Sequence, residues 1–397
     1  MAKAAVSVTR CGDYERARVE EAVRQALGLL PLADGLPGAG KRVLLKPNLL
    51  SSNDPPERAV NTHPEFVRAA TIFFLERGCE VLIGDSCGSL APGSHERAVK
   101  ATGLDAITRE FGIEIMNFDK PPFVELDVPD GKLLPRVRAP AIVKETDCFV
   151  TLPKFKTHGL TLLTGALKNQ YGLLPGRWKK DTHLAAPKPA LLAQAVVDIN
   201  SVAGPDLALM DAIVGMEGNG PSAGKVRRVG LVLASKDPVA LDAAAGALMG
   251  YKPDDIDTTR FAQERGLGVG DLGEIEIRGV PLAEATMEDF RKPPLYVAGA
   301  LMGLIPTPLL RWFINAVAAA HAVVDEERCV LCGECVTNCP AGAMSIVGKR
   351  VEVDRRRCIC CYCCAEVCQH QAIRMQRPWA GRVMRGALHV LRPRRQA

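Results

Sequence analysis

Aromatic residues are scarce in this 397-residue sequence, at 5%. Without rows of Phe, Tyr and Trp there is no stacking platform for single-stranded nucleic acid. The opening stretch, MAKAAVSVTRCGDYERARVEEAV, lacks both the apolar run of a secretory leader and a twin-arginine pair. A cytoplasmic setting is therefore the expectation. No H-E-x-x-H pair occurs, which removes the commonest zinc-peptidase signature, and a G-x-S-x-G nucleophile elbow is not expected either. The stretch GLPGAGKR, residues 35–42, mimics a phosphate loop. It places Arg42 where Ser or Thr would hold magnesium, and it precedes a strand pattern instead of following one. Acidic residues are missing from Gln369 to the end, where seven arginines stand. The formal charge of +5 is thus a property of the tail, and a generally basic nucleic-acid binder is not expected.

Cysteine, in contrast, is abundant. Of fourteen cysteines, Cys11, Cys79, Cys87 and Cys148 are scattered, and the rest lie between 329 and 368. In a reducing compartment such a concentration reads as metal or redox chemistry, not as disulfides. Cys329, Cys332, Cys335 and Cys339 follow C-x2-C-x2-C-x3-C, with Pro340 next. Cys358, Cys361, Cys364 and Cys368 repeat the spacing, with Gln369 in place of the proline. Three cysteines at two-residue gaps wrap a loop around one iron–sulfur cube, and the fourth reaches the other cube. The spacing predicts two [4Fe-4S] clusters: one on Cys329, Cys332, Cys335 and Cys368, the other on Cys358, Cys361, Cys364 and Cys339. Cys360 and Cys363 fall out of step and are expected not to bind. Zinc knuckles are the competing reading, and the duplicated four-cysteine run argues against them. Residues 323–376 resemble a bacterial two-cluster 4Fe-4S ferredoxin.

Upstream, apolar strand patterns alternate with helical ones. RVLLKPN (42–48), EVLIGD (80–85), DCFVTLPK (147–154), LALMDAIVG (207–215) and RVGLVLAS (228–235) read as strands. PEFVRAATIFFLERG (64–78), KPALLAQAVVDINSV (188–202) and DPVALDAAAGALMG (237–250) read as helices. This alternation predicts an α/β domain with a mostly parallel sheet and helices on both faces. Polar residues collect around the ends of the strand patterns: Lys46 and Asn48; Asp85 and Ser86; Lys154, Lys156 and His158; Asp211, Glu217 and Asn219. Open α/β sheets bind ligands beyond the carboxyl ends of their strands, so these groups are expected to converge. Each taken singly is equally well a loop residue or a helix cap. The stretch LPKFKTHGLTLLTGALKNQYGLLPG (152–176) adds Lys168 and Asn169 among apolar residues and glycines. Lysines aimed inward there suit a carboxylate or phosphate; aimed outward they are ordinary solvated lysines. GMEGNGPSAG (215–224) reads as a flexible lip or an anion nest.

The motifs LLKPNLL, THPEFVRA, IGDSCG, LPKFKTHGLTLLTGALKNQYG, DAIVGMEGNGP and ASKDPVALDAAA run in this order over about residues 40–280. They resemble the family called domain of unknown function 362, whose members are often fused to ferredoxin modules. The resemblance implies an α/β domain without a generally established activity. It also supports the same residues as site candidates, because they lie within these motifs.

The expected organisation is an α/β domain at 1–295, an apolar helical connector at 296–324, a two-cluster ferredoxin-type domain at 325–376 and a basic tail at 377–397. The connector is long enough to span a membrane, but Pro306, Pro308 and Arg311 favour a broken, buried helix. The tail reads as a surface helix, a partner-docking arm, a peripheral membrane anchor or disorder.

Taken together, the residues point to an iron–sulfur oxidoreductase fed by a redox partner protein and acting on a small anionic ligand. Lys154, Lys156 and Lys168 are the expected anion binders, His158 the proton-transfer group, and Asp85 an orienting carboxylate. A non-catalytic electron carrier or assembly factor, whose α/β domain holds a partner, is the alternative. A binding protein with purely structural clusters is a third reading.

Overall fold

The computed structural model describes residues 4–31, 35–293 and 321–376. A ten-stranded sheet dominates it. Along its path run β12 (Ile275–Gly279), β1 (Ala4–Arg10), β11 (Lys225–Ser235), β10 (Leu207–Glu217), β7 (Cys148–Leu152), β2 (Arg42–Pro47), β3 (Glu80–Asp85) and β4 (Ile115–Asn117). Off that path, β8 (Lys154–His158) pairs with β10 and with the short β9 (Leu162–Leu163). Pairing is parallel from β10 through β7, β2 and β3 to β4, and antiparallel where β11 joins β10 and β1. The sheet is therefore mixed but mostly parallel.

Strand alternation sends successive side chains to opposite layers. Val43 and Leu45 face the helices Arg16–Gly28 and Pro64–Glu76, packing with Val23, Leu27, Phe66 and Phe74. Leu44, between them, faces the helix Pro189–Ala203 and its Leu192 and Val196. A third apolar cluster seats the helix Pro238–Leu248 on Val6, Val8, Leu231 and Leu233. The helix Pro64–Glu76 starts as its sequence suggests, with Pro64 in the first turn and His63 accepting the Glu65 N–H at 3.2 Å. Gly78, at φ +79°, turns the chain out of it.

Two expectations change. The strand pattern at 147–154 breaks at Pro153, which separates β7 from β8; a proline cannot donate to the ladder. The last four residues assigned to the connector, His321–Val324, form a strand, β13, paired antiparallel with β16 (Ile373–Gln376). The remainder of the connector and the basic tail lie outside the described residues.

The cysteine-rich segment repeats in space as it does in sequence. A second strand pair, β14 (Met344–Val347) with β15 (Arg350–Val353), completes it. A further hairpin, β5 (Phe123–Asp127) with β6 (Arg136–Pro140), flanks the large sheet. The short helices Glu334–Thr337 and Cys363–Glu366 follow Gly333 and Tyr362, at φ +78° and +68°. Leu331 and Cys360 share another left-handed position, each at φ +55°. Cys360 thus stands where the first copy has a leucine, and Cys363 where it has Glu334.

Candidate functional site

A cavity with about 830 Å³ of empty space, open solvent at its mouth included, lies between the sheet and the cysteine-rich segment. Its floor comes from the carboxyl ends of β2 and β3, the position where open α/β sheets bind ligands. There Lys46 and Asp85, both fully buried, form an ion pair of 2.7 Å. Burial pushes the Lys46 ammonium down and the Asp85 carboxyl up from their ordinary pKa values, and each charge opposes the other's shift. Asp85 also accepts the N–H groups of Leu49 and Ser86, both at 2.8 Å. Gly172 closes over the pair: a Cβ there would meet Asp85 Oδ1 at 2.6 Å and Lys46 Nζ at 2.7 Å.

Asn169 is held against this floor. Its Nδ2 donates to Thr151 Oγ1 at 2.8 Å, and its Oδ1 accepts from Asn48 Nδ2 at 3.0 Å. Oδ1 of Asn48 and Oγ1 of Thr164 are buried without a hydrogen-bond partner, and both residues line the cavity. Orphaned buried groups of this kind are what a ligand satisfies.

The wall formed by β8 and the turns after β9 carries the positive charge. Lys156 Nζ donates to Val60 O at 2.5 Å, and its pKa is pushed down to about 7 by burial, with Lys168 adding like-charge repulsion. Lys168 is half-buried, its Nζ 5.2 Å from the centre of the Tyr171 ring. Burial lowers its pKa too, against the pull of Glu366 and Cys363. Nδ1 of His158 accepts the N–H groups of Leu160 and Thr161 at 3.1 and 3.3 Å. The proton of the neutral ring therefore sits on Nε2, 3.4 Å from Glu366 Oε1. Burial, then Lys168 and Lys156, hold this imidazole well below its ordinary pKa, so it is neutral.

Four anticipated residues, Lys154, Asp211, Glu217 and Asn219, are not part of the cavity. β10 runs on to Glu217, so Asp211 lies in mid-strand and not past a strand end. In the β8–β10 register it stands beside Lys154, and the two make a fully buried ion pair of 2.7 Å. Tyr14 closes the triangle: its hydroxyl donates to Asp211 Oδ1 and accepts from Lys154 Nζ, each at 2.7 Å. The Lys154 ammonium is consumed there. Glu217 turns instead toward Arg291, accepting its backbone N–H at 3.2 Å. The glycine-rich lip is the β10–β11 connection. Pro221 from it lines the cavity, and Ser222 Oγ donates to Ala365 O at 3.4 Å.

Other lining residues were not anticipated. Lys179 and His183 share one face of the helix Arg177–Ala185; their i, i+4 spacing was the available signal. His183 is pushed down to about 3 by burial, then by Lys168. Ser86, expected beside Asp85, does line the cavity; it lies within Gly84–Gly88, which, against expectation, satisfies the G-x-S-x-G spacing of a nucleophile turn. Its hydroxyl donates to Gly172 O and accepts from Lys179 Nζ, each at 2.5 Å. Lys179 also donates to Cys87 O at 3.1 Å, so nothing in this arrangement takes the serine proton. Finally, Asn338, Cys363, Glu366 and Val367 reach the cavity from the cysteine-rich segment. Of these only Cys363 carried a signal, its position off the metal-ligand spacing.

That segment is fastened to the α/β layers. Ser89 Oγ donates to Glu334 Oε2 at 2.5 Å, the Leu90 N–H donates to Asn338 Oδ1 at 2.8 Å, and Lys180 Nζ donates to Thr337 O at 2.6 Å. It contains two further cavities. Cys329, Cys332, Cys335 and Cys368 line one; Cys339, Cys358, Cys361 and Cys364 line the other, together with Cys360. The Ala343 N–H donates to Cys339 Sγ at 3.1 Å, and the Ala372 N–H donates to Cys368 Sγ at 3.3 Å. Burial pushes the Cys335 thiol up to about 12, and Cys368, Cys332 and Cys329 push the same way. Thiols crowded like this ionise together only around a cation, so the donor set fits an iron–sulfur group. His321 Nδ1 stands 3.8 Å from Cys360 Sγ, at the edge of the second set.

The model of the family described as Domain of unknown function (DUF362) matches residues 43–247. The chain belongs to this family. In this DUF362 chain a second model, 4Fe-4S binding domain, matches residues 322–345. With the clustered thiols, that match makes it an iron–sulfur protein. Thylakoid-associated protein sll1697 of Synechocystis sp. (strain ATCC 27184 / PCC 6803 / Kazusa) is 33% identical over 261 residues, covering 66% of this chain and 78% of that protein. The lactate racemase apoprotein from Thermoanaerobacterium thermosaccharolyticum superposes with a TM-score of 0.38 at 12% identity, over 62% of this chain and 57% of the other; a likeness at that level carries no argument. Among the described residues, no helix is long and apolar enough to cross a membrane.

Proposed function

We propose that this DUF362 protein is a cytoplasmic oxidoreductase that holds two [4Fe-4S] clusters and reduces a small anionic substrate in the cavity above β2 and β3. One observation carries the reading: a single cavity is walled by Lys156, Lys168 and His158 on one side and by Cys363 and Glu366 of the cysteine-rich segment on the other. The ligand sets are Cys329, Cys332, Cys335 with Cys368, and Cys358, Cys361, Cys364 with Cys339. When bound, such clusters supply electrons one at a time.

The protein's own residues supply the rest. Lys168 and Lys156 hold the anionic group, in surroundings dry enough for their charge to act strongly. His158 presents Nε2–H and is positioned to give a proton to a reduced substrate. Asp85 fixes Lys46, and Asn169 fixes the floor. A redox partner protein is the proposed source of electrons.

The test is anaerobic. Protein purified under nitrogen is analysed by mass spectrometry for whatever it retains. Dithionite-reduced protein is then mixed with that compound and followed at visible wavelengths. Reoxidation with one equivalent of product per two electrons supports the reading; a compound that binds without reoxidising the protein removes it. Cys332 is exposed, which favours a second reading, an electron carrier without turnover. Fast reoxidation by a partner protein alone, unaffected by any cavity ligand, would select it.

A further inference from the structure

We infer an order for the two cysteine sets, resting on the oxidoreductase reading above: Cys339, Cys358, Cys361 and Cys364 form the inner set that serves the cavity, and Cys329, Cys332, Cys335 and Cys368 the outer set that receives electrons from outside.

The argument is a broken symmetry. The two copies of the cysteine repeat are built alike, with left-handed residues and short helices at matching places. Their surroundings differ. In the second copy Cys363, between Cys361 and Cys364, lines the cavity, and so does Glu366 at the end of the same helix. Tyr362, beside Cys361, packs on β8's end: a Cβ at Gly159 would lie 3.4 Å from its ring. Glu366 reaches His158 across the boundary at 3.4 Å. Lys168 and Tyr171 line the same cavity as Cys363 and Glu366.

In the first copy the residue matching Cys363 is Glu334. It does not line the cavity but is spent on docking, accepting from Ser89 at 2.5 Å and pairing with Arg97 at 3.3 Å. The ligand loop beside it faces solvent: Cys332 is exposed, and Val330 is 59% exposed. The first copy reaches the cavity through Asn338, which precedes Cys339, itself a member of the inner set; the inner set is thus turned to the substrate side and the loop of the outer set to the outside. Electrons from a reduced one-electron carrier protein enter at the outer set and pass to the inner one. Two such electrons and two protons complete one reduction in the cavity, leaving two oxidised carrier molecules.

Reduction potentials test the order without turnover. The anaerobic holoprotein is titrated with dithionite and followed by electron paramagnetic resonance, with Cys332→Ser and Cys361→Ser marking the outer and inner signals. Removing a nearby positive charge disfavours the reduced, more negative state. Lys168→Met is therefore expected to move the inner midpoint to lower potential and leave the outer one in place. Glu334→Gln is expected to raise the outer midpoint selectively. Where the cysteine variants lose all iron, Glu334→Gln, placed between Cys332 and Cys335, marks the outer signal by itself and Lys168→Met is read against that label. A Lys168→Met shift in the outer signal, or equal shifts in both, overturns the order. Two reducible clusters with separate responses but no substrate turnover would leave the order standing and remove the oxidoreductase reading. Fewer than two clusters removes both.

Discussion

Nε2 of His158 stands 3.4 Å from Oε1 of Glu366. The first residue ends β8 of the α/β domain; the second closes the helix that lies between two cysteines of the iron–sulfur segment. Glu366 is also the carboxylate that offsets the charges of Lys156 and Lys168. It therefore sits where an anionic ligand's own carboxylate or phosphate would go. Glu366→Gln keeps the shape and removes the competing charge. It is expected to tighten the binding of inorganic phosphate roughly tenfold, which corresponds to about 1.4 kcal/mol. Isothermal titration of the holoprotein measures this; unchanged or weaker binding shows that Glu366 does not compete.

Iron content separates ligands from bystanders. About eight irons per chain are expected from the two four-cysteine sets. Cys360→Ser and Cys363→Ser should retain them, because Cys360 takes the place of Leu331 in the repeat and Cys363 that of Glu334. Cys361→Ser should lose or damage one cluster. Zinc in anaerobically prepared protein, or equal iron loss from Cys360→Ser and Cys361→Ser, overturns the assignment.

Lys156 gives the cavity a pH dependence. Its folded pKa is pushed down to about 7 by burial, while an unfolded lysine holds its proton to about 10.4. Between those values the unfolded chain binds more protons, so stability gains as pH rises through this window. Anion binding runs the other way. The ammonium present below pH 7 is lost above it, and phosphate affinity should fall between roughly pH 6 and 8, beyond what phosphate's own ionisation explains. Lys156→Met should flatten both dependences; profiles parallel to wild type would assign them to another group.

Gly172 is a packing test of the floor. Alanine there drives a methyl group onto Lys46 and Asp85, whose pair is fully buried and has no room to retreat. Overpacking of this kind typically costs about 1–3 kcal/mol. Gly172→Ala should lower the urea midpoint by a corresponding amount and weaken ligand binding. A variant as stable as wild type means that the turn at 170–173 moves aside freely.

Different physical signals made different parts legible in the sequence. Cysteine spacing is set by the geometry of a cube, so it survives in one dimension. The apolar runs of β2 and β3 and the polar residues just after them were readable for a similar reason: a buried parallel strand is short, and the residues beyond its carboxyl end stand at the rim. Asp211 does not fit this rule: it already stood inside the 207–215 strand pattern, and β10, which runs on to Glu217, keeps it in mid-strand. Lys154 looked identical to Lys156 in sequence, two residues apart on one strand. Only the register of β8 against β10, a long-range pairing, brings Asp211 beside one and not the other. Lys179 and His183 sit in a lysine-rich helix that reads as solvated until tertiary packing buries one face. Glu366 was hidden by the cysteines around it, which drew attention to metal ligands.

The contrast between Lys154 and Lys168 provides the sharpest test of that difference. Both are lysines within a dozen or so residues of chain, and both were expected to bind an anion. Lys154 has Asp211 at 2.7 Å and the Tyr14 hydroxyl at 2.7 Å, all inside the protein. Removing its charge leaves Asp211 buried without its cationic partner, a loss of about 3–5 kcal/mol. Lys168 has the face of Tyr171 and the open cavity. Removing its charge costs the fold little and costs a bound anion about 2–5 kcal/mol. Lys154→Met should therefore lower the unfolding midpoint sharply while the folded fraction still binds phosphate. Lys168→Met should unfold near the wild-type midpoint and bind phosphate at least thirtyfold more weakly. Urea denaturation and phosphate titration on the same two preparations read both effects. If Lys154→Met loses binding without losing stability, the Tyr14–Asp211–Lys154 triangle is part of the ligand site after all, and the cavity above β2 and β3 is not the whole of it.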